Sequence, residues 1–187
     1  MPTFLSDDEY AVLEAACDCL IPPAGDLPGG RALGVADYID GLLGAFLVDP
    51  PRIWAGGPFS GRHGGDAGFD RFLELGPLEE LAWRTRVEGS RGLPERERNG
   101  PTRGWQEQYR AGLAALGADF AELGPDEQQG RLDEHPEFAA LLYQHACEGA
   151  YGAPEYGGNR GTAGWIAIGH PGDVQPRGYT DDEVAGP

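Results

Sequence analysis

The sequence predicts a mainly α protein, a single helical domain of about five to six helices with long, ordered Gly/Pro-rich loops. Three observations predict it. Apolar residues recur at helical spacing in several stretches bounded by capping residues, whereas strand-like alternation is suggested only over residues 165–168. Glycine and proline, 31 and 16 of 187 residues, make about a quarter of the chain, a share that calls for much loop. Four Trp, seven Tyr and seven Phe are spread along the chain, too many for outright disorder. A chain of this length buries roughly 70 % of its unfolded surface, enough for one core, and some of its loops are expected to need a partner to hold them.

The elements follow in order. Ser6-Asp7-Asp8-Glu9 has the form of a capping box, with Leu5 and Tyr10 placed as the hydrophobic staple. A first helix is therefore expected over about 7–21, ending before Pro22-Pro23, with Tyr10, Leu13, Cys17 and Leu20 or Ile21 as its apolar stripe. A second, about 35–47, is expected to bury Val35, Ile39, Leu42, Leu43 and Phe46, so that the N-terminal helices occupy 7–48. A Gly/Pro-rich insertion fills 49–76; its first part, 49–66, is too broken for any element and forms one candidate contact surface. The helical core, 77–148, is expected to hold helices at about 77–88, 101–117, 125–134 and 136–148. Pro125 suits a first turn, and Asp126 and Glu127 beside it suit the positive end of a helix dipole. The last of these helices sets Phe138, Leu141, Leu142 and His145 on neighbouring turns and delivers the chain into a loop at Gly149. The acidic tail, 177–187, is expected to fray.

Charge and motifs exclude several functions. With 31 acidic residues against 14 basic ones, all Arg, the net charge is −17, which opposes binding to nucleic acid or an anionic bilayer. Cys17, Cys19 and Cys147 are too few for a disulfide framework, and the first two lie about 200° apart around a helix. Cys147 reads as a buried reduced thiol, the alternative being a cross-link to a partner in an oxidising compartment. The chain holds no G-x-G-x-x-G after a strand, no Walker loop and no βαβ alternation, so no dinucleotide or nucleoside triphosphate of its own is expected. His63, His135, His145 and His170 form no i, i+4 pair, and Ser60 and Ser90 sit in no G-x-S-x-G elbow. No catalytic, cofactor-binding or metal-binding residue is assigned. Met1 to Asp8 has no basic region, twin arginine or long apolar stretch, which leads to the expectation of a cytoplasmic protein.

The segment over 149–176 is the most informative. Residues 149–172 hold eight glycines, two prolines, Tyr151, Tyr156 and Trp165, where no helical or strand period is expected to persist. Gly157-Gly158 allows positive φ at two successive positions, and Asn159 tolerates such turns while bonding nearby backbone. His170 is either an exposed turn residue or a group that approaches a ligand. A loop of this composition either plugs its own domain or meets another surface.

The run Glu148-Gly149, Tyr151-Gly152, Pro154 to Asn159, Gly164-Trp165, Ile168-Gly169 and Pro171-Gly172 resembles the signature of the gluconate 2-dehydrogenase subunit 3 family. Cys19-Leu20-Ile21-Pro22-Pro23 and Gly34-Val35-Ala36-Asp37-Tyr38-Ile39-Asp40 are similar to that family's opening. The resemblance implies a small, non-catalytic accessory subunit that binds a large flavoprotein of the glucose-methanol-choline oxidoreductase type. It also implies that FAD belongs to that partner, that the complex oxidises a sugar or alcohol, and that Tyr151, Tyr156, Gly157, Gly158, Asn159, Trp165 and His170 form the interface. The alternative is a stand-alone carbohydrate-binding protein or sugar-active enzyme, its aromatics stacking on sugar faces and carboxylates such as Glu148 and Glu155 binding hydroxyls.

Overall fold

Helix α1, Asp7–Leu20, forms the hub of the molecule, in contact with most of the other helices. The computed structural model describes residues 1–57 and 72–171. Around α1 stand α2 (Gly30–Leu33), α3 (Val35–Leu43), α4 (Pro77–Glu88), α5 (Trp105–Leu116), α6 (Pro125–Asp133), α7 (Pro136–Tyr151) and α8 (Ala163–Ala167). Single 3₁₀ turns occupy Phe120–Glu122, Pro154–Tyr156 and Arg160–Thr162. Among the described residues no strand ladder forms, only the isolated bridges of Ala24 with Leu27 and Gly56 with Leu73. The mainly helical, single-domain expectation holds.

The start of α1 is set by its capping box: the Glu9 amide donates to Ser6 Oγ and the Ser6 amide to Glu9 Oε2. Its buried face comprises Val12, Leu13, Ala15, Ala16 and Cys17, wider than the expected stripe, while Tyr10 and Leu20 stay half-buried. The short α2 went unforeseen because four residues between glycines leave no period to read. A Cβ at Gly30 would overlap the backbone carbonyl of Cys17, so the bare glycine lets α2 press onto the end of α1. Gly34, at φ 72°, separates α2 from α3 by one left-handed residue. Helix α3 ends at Leu43, four residues short of expectation, because the chain turns at Gly44; Phe46 and Leu42 pack beside Ala45, Ile53 and Val87 in a second small core.

The carboxylate of Asp40, almost fully buried on α3, holds the N-terminus by accepting the amides of Thr3, Phe4 and Leu5. Helix α5 begins at Trp105, later than expected, because Gly104 is extended and lies against the backbone of Gly89, where no side chain would fit. Helices α4 and α6 start where expected, at Pro77 and Pro125, with Glu79 and Glu127 bonding the amides of Gly76 and Gly124. Helix α7 runs three residues past its expected end and carries Gly149, Ala150 and Tyr151 as its last turn. Part of the proposed insertion surface, residues 58–66, lies outside the described residues, as do 172–176 and the acidic tail 177–187.

At the centre, His145 of α7 is fully buried and its Nδ1 lies 2.9 Å from Tyr109 Oη, with Trp105 nearly perpendicular at 4.5 Å. Burial raises the Tyr109 phenol well above its usual range, so it stays protonated beside the ring nitrogen. Burial also holds the His145 imidazole below its ordinary pKa, which favours the neutral ring in the fold. With the folded pKa below the unfolded one, this contribution to stability is whole above about pH 6.5 and is lost as pH falls further. In thermal melts, the Tm deficit of His145→Leu relative to the parent protein should therefore shrink between about pH 8 and about pH 5. A deficit that stays constant or widens would mean that this histidine is not held neutral.

Candidate functional site

The two stretches of the chain that carry the sequence signature, one around residues 34–40 and one over 148–171, fold into a single unit. Helix α3 packs along α7, and the segment after α7 doubles back over that helix's own C-terminal turn. The return is fastened by Asn159, whose Nδ2 donates to the Gly152 carbonyl (2.8 Å) and whose Oδ1 accepts the Gly164 amide (2.9 Å). Asn159 is 0 % exposed and sits at φ 44°, ψ 46°, a left-handed conformation that asparagine tolerates better than most residues.

The glycines of the unit are there for backbone contact. A Cβ at Gly158 would fall inside the radius of the Gly149 carbonyl oxygen, and one at Gly164 inside that of Ala150, so both strands of the return lie directly on α7. Gly157 supplies the positive φ, 108°, that turns the chain into this contact. Trp165, 7 % exposed, then closes the return by donating its indole N–H to the Tyr151 carbonyl at 2.7 Å. The His170 ring meets the Trp165 ring edge-on at 5.0 Å, and the His170 amide caps the Trp165 carbonyl.

Side chains tie this return to α3. Arg160 forms an ion pair with Asp37, which also accepts from Tyr10 Oη, and the arginine lies so close over Gly34 that a side chain there would strike it. Tyr38 Oη donates to Glu148 at 2.8 Å, and Gln144 supports the same carboxylate. Burial, then the neighbouring Glu148, push the Tyr38 phenol up, so it remains a donor. Tyr156 reaches the insertion, donating to the Gly57 carbonyl at 3.2 Å and lying 5.3 Å from Trp54, which stacks on Phe72 at 3.8 Å.

The seven expected interface residues are thus brought together, but not on one surface. Gly158, Asn159 and Trp165 are interior and shape the unit from within; Gly157 and His170 are exposed, and Tyr151 and Tyr156 half-buried. Tyr151 belongs to α7 rather than to a loop, because Gly149 and Ala150 continue the helix under the covering return. The suggested strand over 165–168 is instead the end of α8, a short helix whose outer side presents Ile166 and Ile168, 69 % and 58 % exposed. Ile168 was noted only as part of the signature run and Ile166 not at all, since the exposure of both is decided by how α8 is seated. Arg160, Asp37 and Glu148 were also missed as a set, since no spacing along the chain links them.

Among the described residues no group of three or more His, Cys, Asp or Glu is arranged to hold a metal ion, and no helix is long and apolar enough to cross a membrane. The cysteines are free, Cys17 buried and Cys19 and Cys147 half-buried.

Removing the Asn159 carboxamide should leave a buried carbonyl and a buried amide unpaired, so Asn159→Ala should cost about 2–4 kcal/mol in urea unfolding. Gly164→Ala should be at least as damaging, since its methyl has nowhere to go. An Asn159→Ala protein of parental stability would show that the return is held by other contacts.

The profile of the family described as gluconate 2-dehydrogenase subunit 3 matches residues 7–172, nearly the whole described structure. No curated protein and no solved structure matches the chain significantly. The match spans both halves of the unit built around Asn159 and Arg160, and on that extent the chain belongs to the gluconate 2-dehydrogenase subunit 3 family.

Proposed function

We propose that this chain is a non-catalytic accessory subunit that binds and stabilises a large FAD-containing dehydrogenase of the glucose-methanol-choline type, acting on a sugar or alcohol. The observation that carries the reading is the construction of the signature unit. Its most restrictive residues, Gly158, Asn159, Gly164 and Trp165, are spent on holding a rigid backbone shape, and that shape turns Ile166 and Ile168 outward beside His170. Exposed apolar side chains on a rigid frame are what a protein contact needs, because little ordering entropy is lost on binding. A subunit that binds only the folded partner raises that partner's stability by mass action. In this reading the flavin and the groups that move hydride and proton belong to the large chain. A cytoplasmic site of assembly is part of the same proposal.

The test is co-expression with a candidate large flavoprotein of the glucose-methanol-choline type from the same genome, followed by size exclusion with flavin absorbance recorded across the peak. A yellow complex containing both chains is expected, with the large chain insoluble or inactive when expressed alone. Ile168→Asp should weaken the complex tenfold or more, about 1.4 kcal/mol, while leaving the melting temperature of the isolated small chain unchanged. A colourless small chain that elutes apart from an active flavoenzyme would overturn the reading.

A further inference from the structure

The fastenings of the return segment to the end of α7 fall on four consecutive residues. Gly158 lies on the Gly149 carbonyl and Gly164 on that of Ala150, while Trp165 donates to the Tyr151 carbonyl and Asn159 to that of Gly152. One helical turn before Gly149, on the same face of α7, stands the fully buried His145. From this placement we propose that His145 is an acid-sensitive catch: when its imidazole takes up a proton, the end of α7 shifts, the return above it opens, and the surface bearing Ile166 and Ile168 is lost. The opening concerns this chain alone; its effect on assembly rests on the accessory-subunit reading.

The closed fold has no place for a second proton on this ring. Nδ1 shares a hydrogen bond with Tyr109 Oη at 2.9 Å, while Nε2 is buried and has no hydrogen-bond partner among the described residues. The neighbouring rings are Trp105, nearly perpendicular at 4.5 Å, and Tyr109, parallel at 5.7 Å, and an indole brings a donor but no acceptor. The titratable groups around the His145 and Tyr109 pair are Cys17 of α1, Tyr38 of α3 and Glu148 of α7. Burial pushes the Cys17 thiol and the Tyr38 phenol up, so both stay neutral and the charge beside the ring is that of Glu148. Its carboxylate favours a protonated ring, but it is exposed and engaged by Tyr38 and Gln144, and burial outweighs it. An imidazolium carries two N–H donors, and a charged ring buried with one of them unmet is costly. The proton is therefore taken only where Nε2 reaches water, which requires the last turns of α7 to move.

The pair is also an expensive way to fill a core. With one ring nitrogen unmet, histidine and tyrosine hold α5 against α7 no better than two apolar side chains of the same shape would. What the imidazole adds is a response to pH. A histidine in water has a pKa of about 6.5, so the opened form binds a proton below that value and the closed form does not. The closed form is favoured in full above about pH 6.5, and opening gains about tenfold between about pH 7.5 and about pH 5.5. The return yields before the rest of the fold, because α8 is only five residues long and packs mainly on α7 and the turn Arg160–Thr162.

Two measurements test this. In the first, amide hydrogen exchange of the ¹⁵N-labelled full chain is followed at about pH 7.5 and about pH 5.5 and corrected for intrinsic rates. The opening constant at Gly164, whose amide is held by Asn159, should rise about tenfold at the lower pH, with no comparable rise at Leu13 of α1. His145→Leu combined with Tyr109→Phe removes both polar partners and should abolish the rise. His145→Gln, which does not titrate, should abolish it too and serves if the double variant fails to fold. His170→Gln changes the other histidine of the unit and should leave the rise intact. A rise that survives in the His145 variants, vanishes with His170→Gln, or is equal at Leu13 overturns the catch. In the second, the yellow complex is run through size exclusion at falling pH, where the parent complex should come apart at a higher pH than one made with a His145 variant. Dissociation at the same pH overturns the link to assembly while the accessory reading stands. If no complex forms at any pH, that reading falls and the exchange measurement decides the catch.

Discussion

The architecture of this protein's C-terminal signature unit depends on one buried carboxamide. Asn159 binds the end of α7 with its amide nitrogen and the start of α8 with its oxygen, so two pieces of backbone five residues on one side and seven on the other are held at a fixed spacing. Everything downstream needs that spacing: Gly158 and Gly164 can touch α7 because the return is drawn tight, and Trp165 can reach the Tyr151 carbonyl because α8 begins where it does. A hydroxyl could not replace the carboxamide, since it lacks the reach and the paired donor and acceptor on separate atoms. Nor would an aliphatic residue accept the left-handed backbone at this position without strain.

A second level of order comes from the joint between the chain's two ends. Asp37 receives both Arg160 and Tyr10, and thereby links the return segment, α3 and α1 at a single carboxylate. The ion pair is partly exposed, and on its own such a pair adds little stability. Its value is positional: it seats Arg160 over Gly34, at the joint between α2 and α3, and so sets the approach of the return to the N-terminal helices. Tyr38, the next residue of α3, adds a second link through Glu148 of α7.

Much of the fold was legible in the chain, wherever local chemistry speaks for itself. Ser6 with Glu9, Pro77 and Pro125 marked helix starts to the residue, because capping and the proline ring act within one turn. Boundaries set by distant packing were not legible. Helix α7 outruns its expected end because Gly149 and Ala150 are sheltered by a segment that returns over them, and α8 forms where strand alternation had been suggested because Trp165 is drawn into the interior. The site shows the same division. Its identity as a special segment was plain from glycines and aromatics, yet the division of labour between frame and surface was not. Burial of Asn159 and exposure of Ile166 are decided by a fold-back that no spacing along the sequence records.

The glycine contacts carry one more consequence. Positions 158 and 164 are closed to every side chain because backbone lies directly against backbone, whereas Ile166 and Ile168 project outward and Gly41 borders empty space. The scaffold and its contact chemistry are therefore separately adjustable. A duplicate of this chain could acquire a different surface chemistry by rewriting a few outward-facing positions, with the buried carboxamide and its glycines carried along unchanged.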